Sequence, residues 1–270
     1  MSTIITLTTD LGLTDAYVAA MKGVILDINP EAKLVDICHT IKPQNIPQAA
    51  FVLGTAYQYF PQKTIHVAIV DPGVGTERRA IILRTPEADF IAPDNGVLSY
   101  VIQDYSAKPM KSDVTLQQTE LEAVAITKPQ FWRSPVSPTF HGRDIFAPVA
   151  ARLSLGIPPI DFGEAITSVA MLPLPCPYRA TDGSLVGHIL HIDSFGNLIT
   201  DIKKDDIPQP KRAITIEVGN QSISGLSLTY AESEGLLALV GSSEYLEISL
   251  RDGSACALLD AEIGNEVRIR

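Results

Sequence analysis

Residues 4–28, IITLTTDLGLTDAYVAAMKGVILDI, run through a strand, a turn and a helix in one sweep. Ile4-Ile5-Thr6-Leu7-Thr8 is a short apolar and β-branched run, which reads as a buried strand ending at Asp10. From Tyr17 to Ile28 the apolar residues Val18, Met21, Val24, Ile25 and Ile28 recur at helical spacing on one side. The step then repeats. Leu34-Val35-Asp36-Ile37 is a second strand, and Ile46 to Tyr59 a second helix whose start is set by Pro43 and Asn45. Thr64 to Val70 is a third strand, followed by Ala80 to Leu83 and Phe90-Ile91-Ala92. Strand–helix–strand order at this spacing predicts an α/β N-terminal domain, residues 1–165, with a largely parallel sheet covered by helices.

The pattern changes after Gly156. Pro158, Pro159, Pro173, Pro175 and Pro177 break any helix, so residues 166–180 read as a Pro-rich linker. Beyond it come short alternating runs: Leu185 to Ile192, Leu198 to Ile202, Ala213 to Val218, Leu236 to Val240, Tyr245 to Leu250 and Val267 to Ile269. Gly219-Asn220 between two runs is a tight-hairpin signal. Evenly spaced short strands predict a smaller C-terminal all-β barrel over residues 181–270.

Composition narrows the function. Of 270 residues, 46% are hydrophobic and 19% charged, which suits a globular protein with real cores. A net charge of −10 with no Lys/Arg block argues against sequence-independent nucleic-acid binding, which needs clustered cations. Cys38, Cys176 and Cys256 are far apart and share no metal-ligand spacing, so reduced thiols in a cytoplasmic protein are expected. The N-terminal run lacks a basic region ahead of it, unlike a signal peptide, and no apolar stretch nears the ~18 residues of a membrane span. No HExxH or similar cluster is present, and no metal is expected.

Ligands in open α/β sheets sit beyond the carboxyl ends of strands. Asp10 and Asp71 fall there. Asp10 either holds a pair of vicinal hydroxyls or caps the following helix. Asp71 stands in the Gly-rich turn Val70-Asp71-Pro72-Gly73-Val74-Gly75-Thr76, with Arg78 placed to fold back on it. A plain turn Asp with a surface Arg fits the same spacing. His141, in Phe140-His141-Gly142-Arg143-Asp144, stands at a helix entrance, a structural or a catalytic position. His39, His66 and His188 read as packing residues. Asp193-Ser194-Phe195-Gly196-Asn197 sets a carboxylate, an aromatic face and an amide within one turn, which suits a purine or a bare hairpin alike.

Taken in order, these segments resemble the S-adenosyl-L-methionine (SAM) hydrolase (adenosine-forming) family, also called SAM hydroxide adenosyltransferases, in the fluorinase and chlorinase superfamily. The resemblance runs nearly end to end. It rests on Thr8-Thr9-Asp10-Leu11-Gly12 with Met21-Lys22-Gly23-Val24-Ile25, on residues 70–76 with Arg78, and on Ala92-Pro93-Asp94-Asn95-Gly96. Residues 140–146 and 192–197 complete it. It implies an α/β domain followed by a β-barrel, and a homotrimer with each active site between the N-domain of one subunit and the C-domain of the next. It implies Asp71, Arg78 and His141 as the reactive trio, positioning a water for in-line attack on the ribose 5′ carbon. The halogenating relatives lack this trio. By the same resemblance Asp10 holds the ribose hydroxyls, and Phe195 and Asn197 take the adenine, with backbone near Arg251 and Asp252 closing its edge. Asp193 and Ser242, with Asp15 and Tyr17, receive the methionine end. Asp94, Asn95 and Gly142 complete the expected substrate-contacting set. No cofactor is implied; SAM is the substrate, and adenosine and L-methionine the products. A non-catalytic SAM or adenosine sensor and a halide-dependent adenosyltransferase stay open as alternatives.

Overall fold

The computed structural model describes residues 3–106, 114–116, 120–210 and 213–270. The chain divides into two compact units, Met1–Leu174 and Pro175–Arg270.

In chain order the first unit contains β1 (Ile4–Thr9), α1 (Tyr17–Ile28), β2 (Lys33–Cys38), α2 (Ile46–Ala56) and β3 (Ile65–Ile69). It continues with β4 (Ala80–Arg84), β5 (Asp89–Pro93), α3 (Ser99–Asp104), β6 (Val114–Thr115) and β7 (Glu122–Ile126). It ends with α4 (Ala147–Ser154), β8 (Gly163–Ile166) and β9 (Ser168–Val169). The Asn45 side chain accepts from Gln48 N–H at 3.0 Å and caps α2. Seven strands form one sheet in the order β2-β1-β3-β5-β4-β7-β8.

Only half of this sheet is parallel. β1 pairs parallel with β2 and β3, and β3 with β5, as strand–helix–strand steps require. The pairs β5–β4, β4–β7 and β7–β8 are antiparallel. The expectation of a largely parallel sheet fails at the link between β4 and β5. Too few residues separate them for a crossover, and Thr85 Oγ1 closes a turn by accepting from Ala88 N–H at 3.0 Å. The sheet is therefore mixed. The segment read as linker also contains β9, paired antiparallel with β6.

Alternation along the strands fills both faces. Ile5 and Leu7 of β1, with Val67 of β3, pack toward Met21 and Ile25 of α1 and toward α4. Ala68, Phe90 and Ala92 pack on the other face with Leu53 of α2 and Val101 of α3. Each fully buried Ile, Leu, Val, Met or Phe among them contributes roughly 1.5–3 kcal/mol.

The second unit contains β10 (Tyr178–Arg179), β11 (Leu185–Ile192), β12 (Leu198–Lys203), β13 (Thr215–Val218) and β14 (Gln221–Ser224). β15 (Leu236–Val240), β16 (Tyr245–Leu250), α5 (Ala255–Leu259) and β17 (Glu266–Ile269) follow. Their antiparallel order is β14-β13-β17-β11-β12-β16-β15, with β10 beside β11. β14 and β15, the two ends of that path, lie next to each other, so the sheet is a nearly closed barrel. Val218 pairs with Gln221 around Gly219-Asn220, the hairpin its sequence predicts.

Candidate active site

β3 cannot continue past Val70, because Pro72 and Gly73 follow. The chain turns there, with Val74 N–H donating to Asp71 O at 3.2 Å and Thr76 N–H to Gly73 O at 3.1 Å. Gly75 has a φ of +79°, and a Cβ there would collide with the carbonyl oxygen of Pro138. The turn is thereby pressed against the segment that leads to His141.

Asp71 and Arg78 meet at this point as one nearly buried pair, their side chains 6% and 12% exposed. Arg78 Nε donates to Asp71 Oδ1 at 2.9 Å, and Nη2 donates to Asp71 Oδ2. The same Nη2 lies 3.0 Å from His141 Nδ1. A guanidinium only donates, so Nδ1 accepts and the proton of the neutral imidazole sits on Nε2. Burial pushes the His141 pKa below its ordinary value, and the adjacent Arg78 cation pushes it the same way. The three residues expected to react are one connected cluster at the carboxyl end of β3.

Several other expected residues gather in the same unit. Asp10 follows β1, and its Oδ2 accepts from Gln44 N–H at 2.8 Å. Tyr17, half exposed, stands edge-on to Phe140 with ring centroids 5.2 Å apart, while Asp15 is exposed. Gly142 is buried, and a Cβ there would press on Phe140 at 3.1 Å and Met21 Sδ at 3.2 Å. Asn95 donates from Nδ2 to Val70 O at 2.9 Å, anchoring the residue before Asp71. Asp94 is committed to the fold: it accepts from Arg79 Nε at 2.8 Å and from Ala170 N–H at 2.7 Å.

The second unit holds the remaining expected residues. Asp193 Oδ1 accepts from the backbone N–H of Phe195 and of Asn197, each at 2.9 Å, and Oδ2 accepts from Asn197 Nδ2 at 2.9 Å. That self-closed turn leaves the Phe195 ring 76% exposed. Gly196 lies so close to Ser254 that no side chain fits, and Cys256 N–H donates to Gly196 O at 2.9 Å. The Arg251-Asp252 turn follows β16, just before the Ser254 that packs on Gly196. Ser242 is exposed in the turn after β15. Buried Glu247, which the sequence reading did not single out, accepts from Tyr230 Oη at 2.7 Å and Ser249 Oγ at 2.8 Å, and its carboxylate reaches Gly241 next to Ser242. Burial, reinforced by Glu247, pushes the Tyr230 hydroxyl up to about 12. The only signal in the sequence is a carboxylate between Leu246 and Ile248 on an apolar strand.

Among the described residues, no three His, Cys, Asp or Glu side chains gather as a metal site. No helix among them is long and apolar enough to cross a membrane.

Residues 5–163 match the SAM hydroxide adenosyltransferase N-terminal domain, and residues 187–268 match the SAM hydroxide adenosyltransferase C-terminal domain. A Salinispora arenicola protein named (R)-S-adenosyl-L-methionine hydrolase is 35% identical, with 98% of this chain and 97% of that protein aligned. A Methanocaldococcus jannaschii protein of the same name is also 35% identical, over 98% of this chain and 95% of its own length. A fluorinase of Nocardia brasiliensis is 26% identical over 99% and 96% of the two chains. The crystal structure of an uncharacterized conserved protein from Thermotoga maritima aligns with a TM-score of 0.87 at 33% identity, covering 98% of this chain and 99% of that one. The chain belongs to the SAM hydroxide adenosyltransferase family.

Proposed function

We propose that this chain hydrolyses S-adenosyl-L-methionine to adenosine and L-methionine at the Asp71–Arg78–His141 cluster. The observation that carries this reading is the Arg78 guanidinium donating to Asp71 and His141 at once. Methionine leaves a sulfonium as a neutral thioether, so no general acid is needed. The difficulty is water, a weak nucleophile that must lie in line with the 5′ carbon–sulfur bond. Each Asp71 oxygen keeps an acceptor site beyond the one Arg78 fills, so the carboxylate accepts a hydrogen from that water. His141, with its proton on Nε2, donates to the water oxygen. As the carbon–oxygen bond forms and the carbon–sulfur bond breaks, the water proton passes to Asp71. Positioning supplies roughly 7–11 kcal/mol at best, and general-base help about 10²–10⁴-fold. A carboxylate at this place repels a halide ion, which favours water over halide.

Asp10 holds the ribose hydroxyls through its free oxygen, and the exposed Phe195 face stacks on adenine, with Asn197 and the Arg251-Asp252 backbone on its polar edge. Asp193, Ser242, Asp15 and Tyr17 receive the methionine end. Asp193 acts there through its charge, since its oxygens already close a turn. Gly142 lets Phe140 and Met21 pack close beside His141, and Asp94 and Asn95 hold the loops around the site. The reaction uses no metal or cofactor. We place the enzyme in the cytoplasm as a homotrimer, each site formed by the N-terminal unit of one subunit and the C-terminal unit of the next.

The test is incubation with SAM in ¹⁸O water, with and without chloride, and chromatography of the products. The expected product is adenosine labelled at the 5′ hydroxyl, with or without halide. Unlabelled adenosine, a 5′-halogenated nucleoside, or SAM recovered intact would each defeat the proposal.

A further inference from the structure

The turn Gly142–Phe146 is π-helical, inserted between His141, already helical at φ −63° and ψ −23°, and α4. It closes with Ala147 N–H donating to Gly142 O, five residues back. The sequence explains the widening. In an α-helix Pro148 would face the carbonyl of Asp144, for which it has no N–H and against which its ring clashes. Here that carbonyl accepts instead from Arg133 N–H at 2.8 Å.

The wider turn has a consequence for geometry. At about 100° per residue, α-helical residues five apart point about 140° away from each other. A π turn brings residues at that spacing toward one side. His141 and Phe146 are five apart, and both touch Arg78. Arg78 Nη2 is 3.0 Å from His141 Nδ1, and Cζ lies 5.3 Å from the centroid of the Phe146 ring, which is fully buried. The guanidinium thus has one edge on Asp71, one N–H toward His141 and the Phe146 ring against it. An aromatic face attracts a cation and, unlike a carboxylate, leaves its N–H donors free for other partners.

We infer that Phe146, presented by the π turn, is a positioning residue for the reaction, fixing the Arg78 guanidinium so that it serves Asp71 and His141 together. This rests on the hydrolase reading for its kinetic arm alone. Phe146→Leu keeps an apolar side chain and removes the ring face; Phe146→Tyr keeps the ring.

The experiment compares the full-length wild type with both variants in three measurements: turnover of SAM, adenosine affinity by calorimetry, and the NMR titration of His141. The charged groups acting on that imidazole are Arg78, Asp71 and Asp144. For Phe146→Leu we expect kcat to fall at least about tenfold while adenosine affinity stays within about threefold. Its His141 titration should move up toward the ordinary histidine value as Arg78 leaves Nδ1. Phe146→Tyr should restore most of both. Unchanged kcat and an unmoved His141 titration in Phe146→Leu would overturn the inference. So would an equal loss of adenosine affinity and turnover, which marks a general structural defect. If Phe146→Leu does not fold, Phe146→Met, a flexible apolar filler, is read by the same criteria. A wild type that binds adenosine but leaves SAM intact would defeat the hydrolase reading instead, and the His141 titration would still decide the role of Phe146.

Discussion

With Nδ1 accepting from Arg78, protonating His141 would remove an acceptor and set a second cation against the guanidinium. The fold therefore favours the neutral imidazole, and the pKa lies below the ordinary 6.5. In the proposed mechanism that neutral form is the working one. Turnover should stay level through neutral pH and fall only as acid reaches the lowered His141 value. A kcat profile across the acid range checks this, and His141→Gln should abolish that acid limb. A wild-type limb centred at or above 6.5 would show that His141 is not held by Arg78 in the working enzyme. The pairing of Asp71 with Arg78 was one of two readings open in the sequence, because seven residues and two glycines let the chain fold back without requiring it. The contact of Arg78 with His141 was not legible, since it joins residues 63 positions apart. Nor was the commitment of Asp94 to Arg79, or the closure of the Asp193 turn on itself. Residue type and order announce a carboxylate near a site; they do not say which of its lone pairs the fold has already taken.

At the scale of elements, β3 carries a second histidine with a different task. His66 is 1% exposed, stacked on Phe90 at 4.9 Å, with Nδ1 2.8 Å from Thr6 Oγ1. Burial pushes its pKa down to about 4. Between the ordinary value near 6.5 and about 4, the unfolded chain binds a proton that the folded chain refuses. Stability from this group is intact above that window and is lost as pH falls through it, by about 3 kcal/mol in all. Urea unfolding from neutral pH down to about 4 should show this slope, and His66→Phe should flatten it; an equal slope in the variant would place the titration elsewhere. The strands and helices through β3 were readable because burial and helical spacing are local patterns. The direction of β4 was not, because it depends on whether a link is long enough to cross over, and Thr85 with Ala88 closes a turn instead. The π turn escaped periodicity too. A single proline beyond a polar turn signals a helix start as readily as a widened one.

For the whole molecule, Asp10, Asp71, Arg78 and His141 lie in the unit Met1–Leu174, and Phe195, Asn197 and Ser242 in Pro175–Arg270. The homotrimer proposed above makes a sharp demand on this division. Asp71→Asn spoils the first half of a site and should cost at least about 10²-fold in turnover. Phe195→Ala spoils the second half and should weaken adenosine binding by about 1–3 kcal/mol, the range for a base losing its aromatic platform. The Phe195 ring is 76% exposed, so its loss should leave thermal stability nearly unchanged. Co-expressing the two variants under different tags and isolating doubly tagged oligomers brings both defects into one assembly. If each site joins one subunit's first unit to the next subunit's second, every doubly tagged trimer unites two intact halves at about one of its three sites. At SAM concentrations too low to saturate the Phe195→Ala sites, the mixed oligomer should then exceed the average of the two parents. If each site is built within one chain, every site keeps one defect and the mixture matches that average. The second result would refute shared sites while leaving the hydrolase reading intact, because each variant's own loss is measured beforehand.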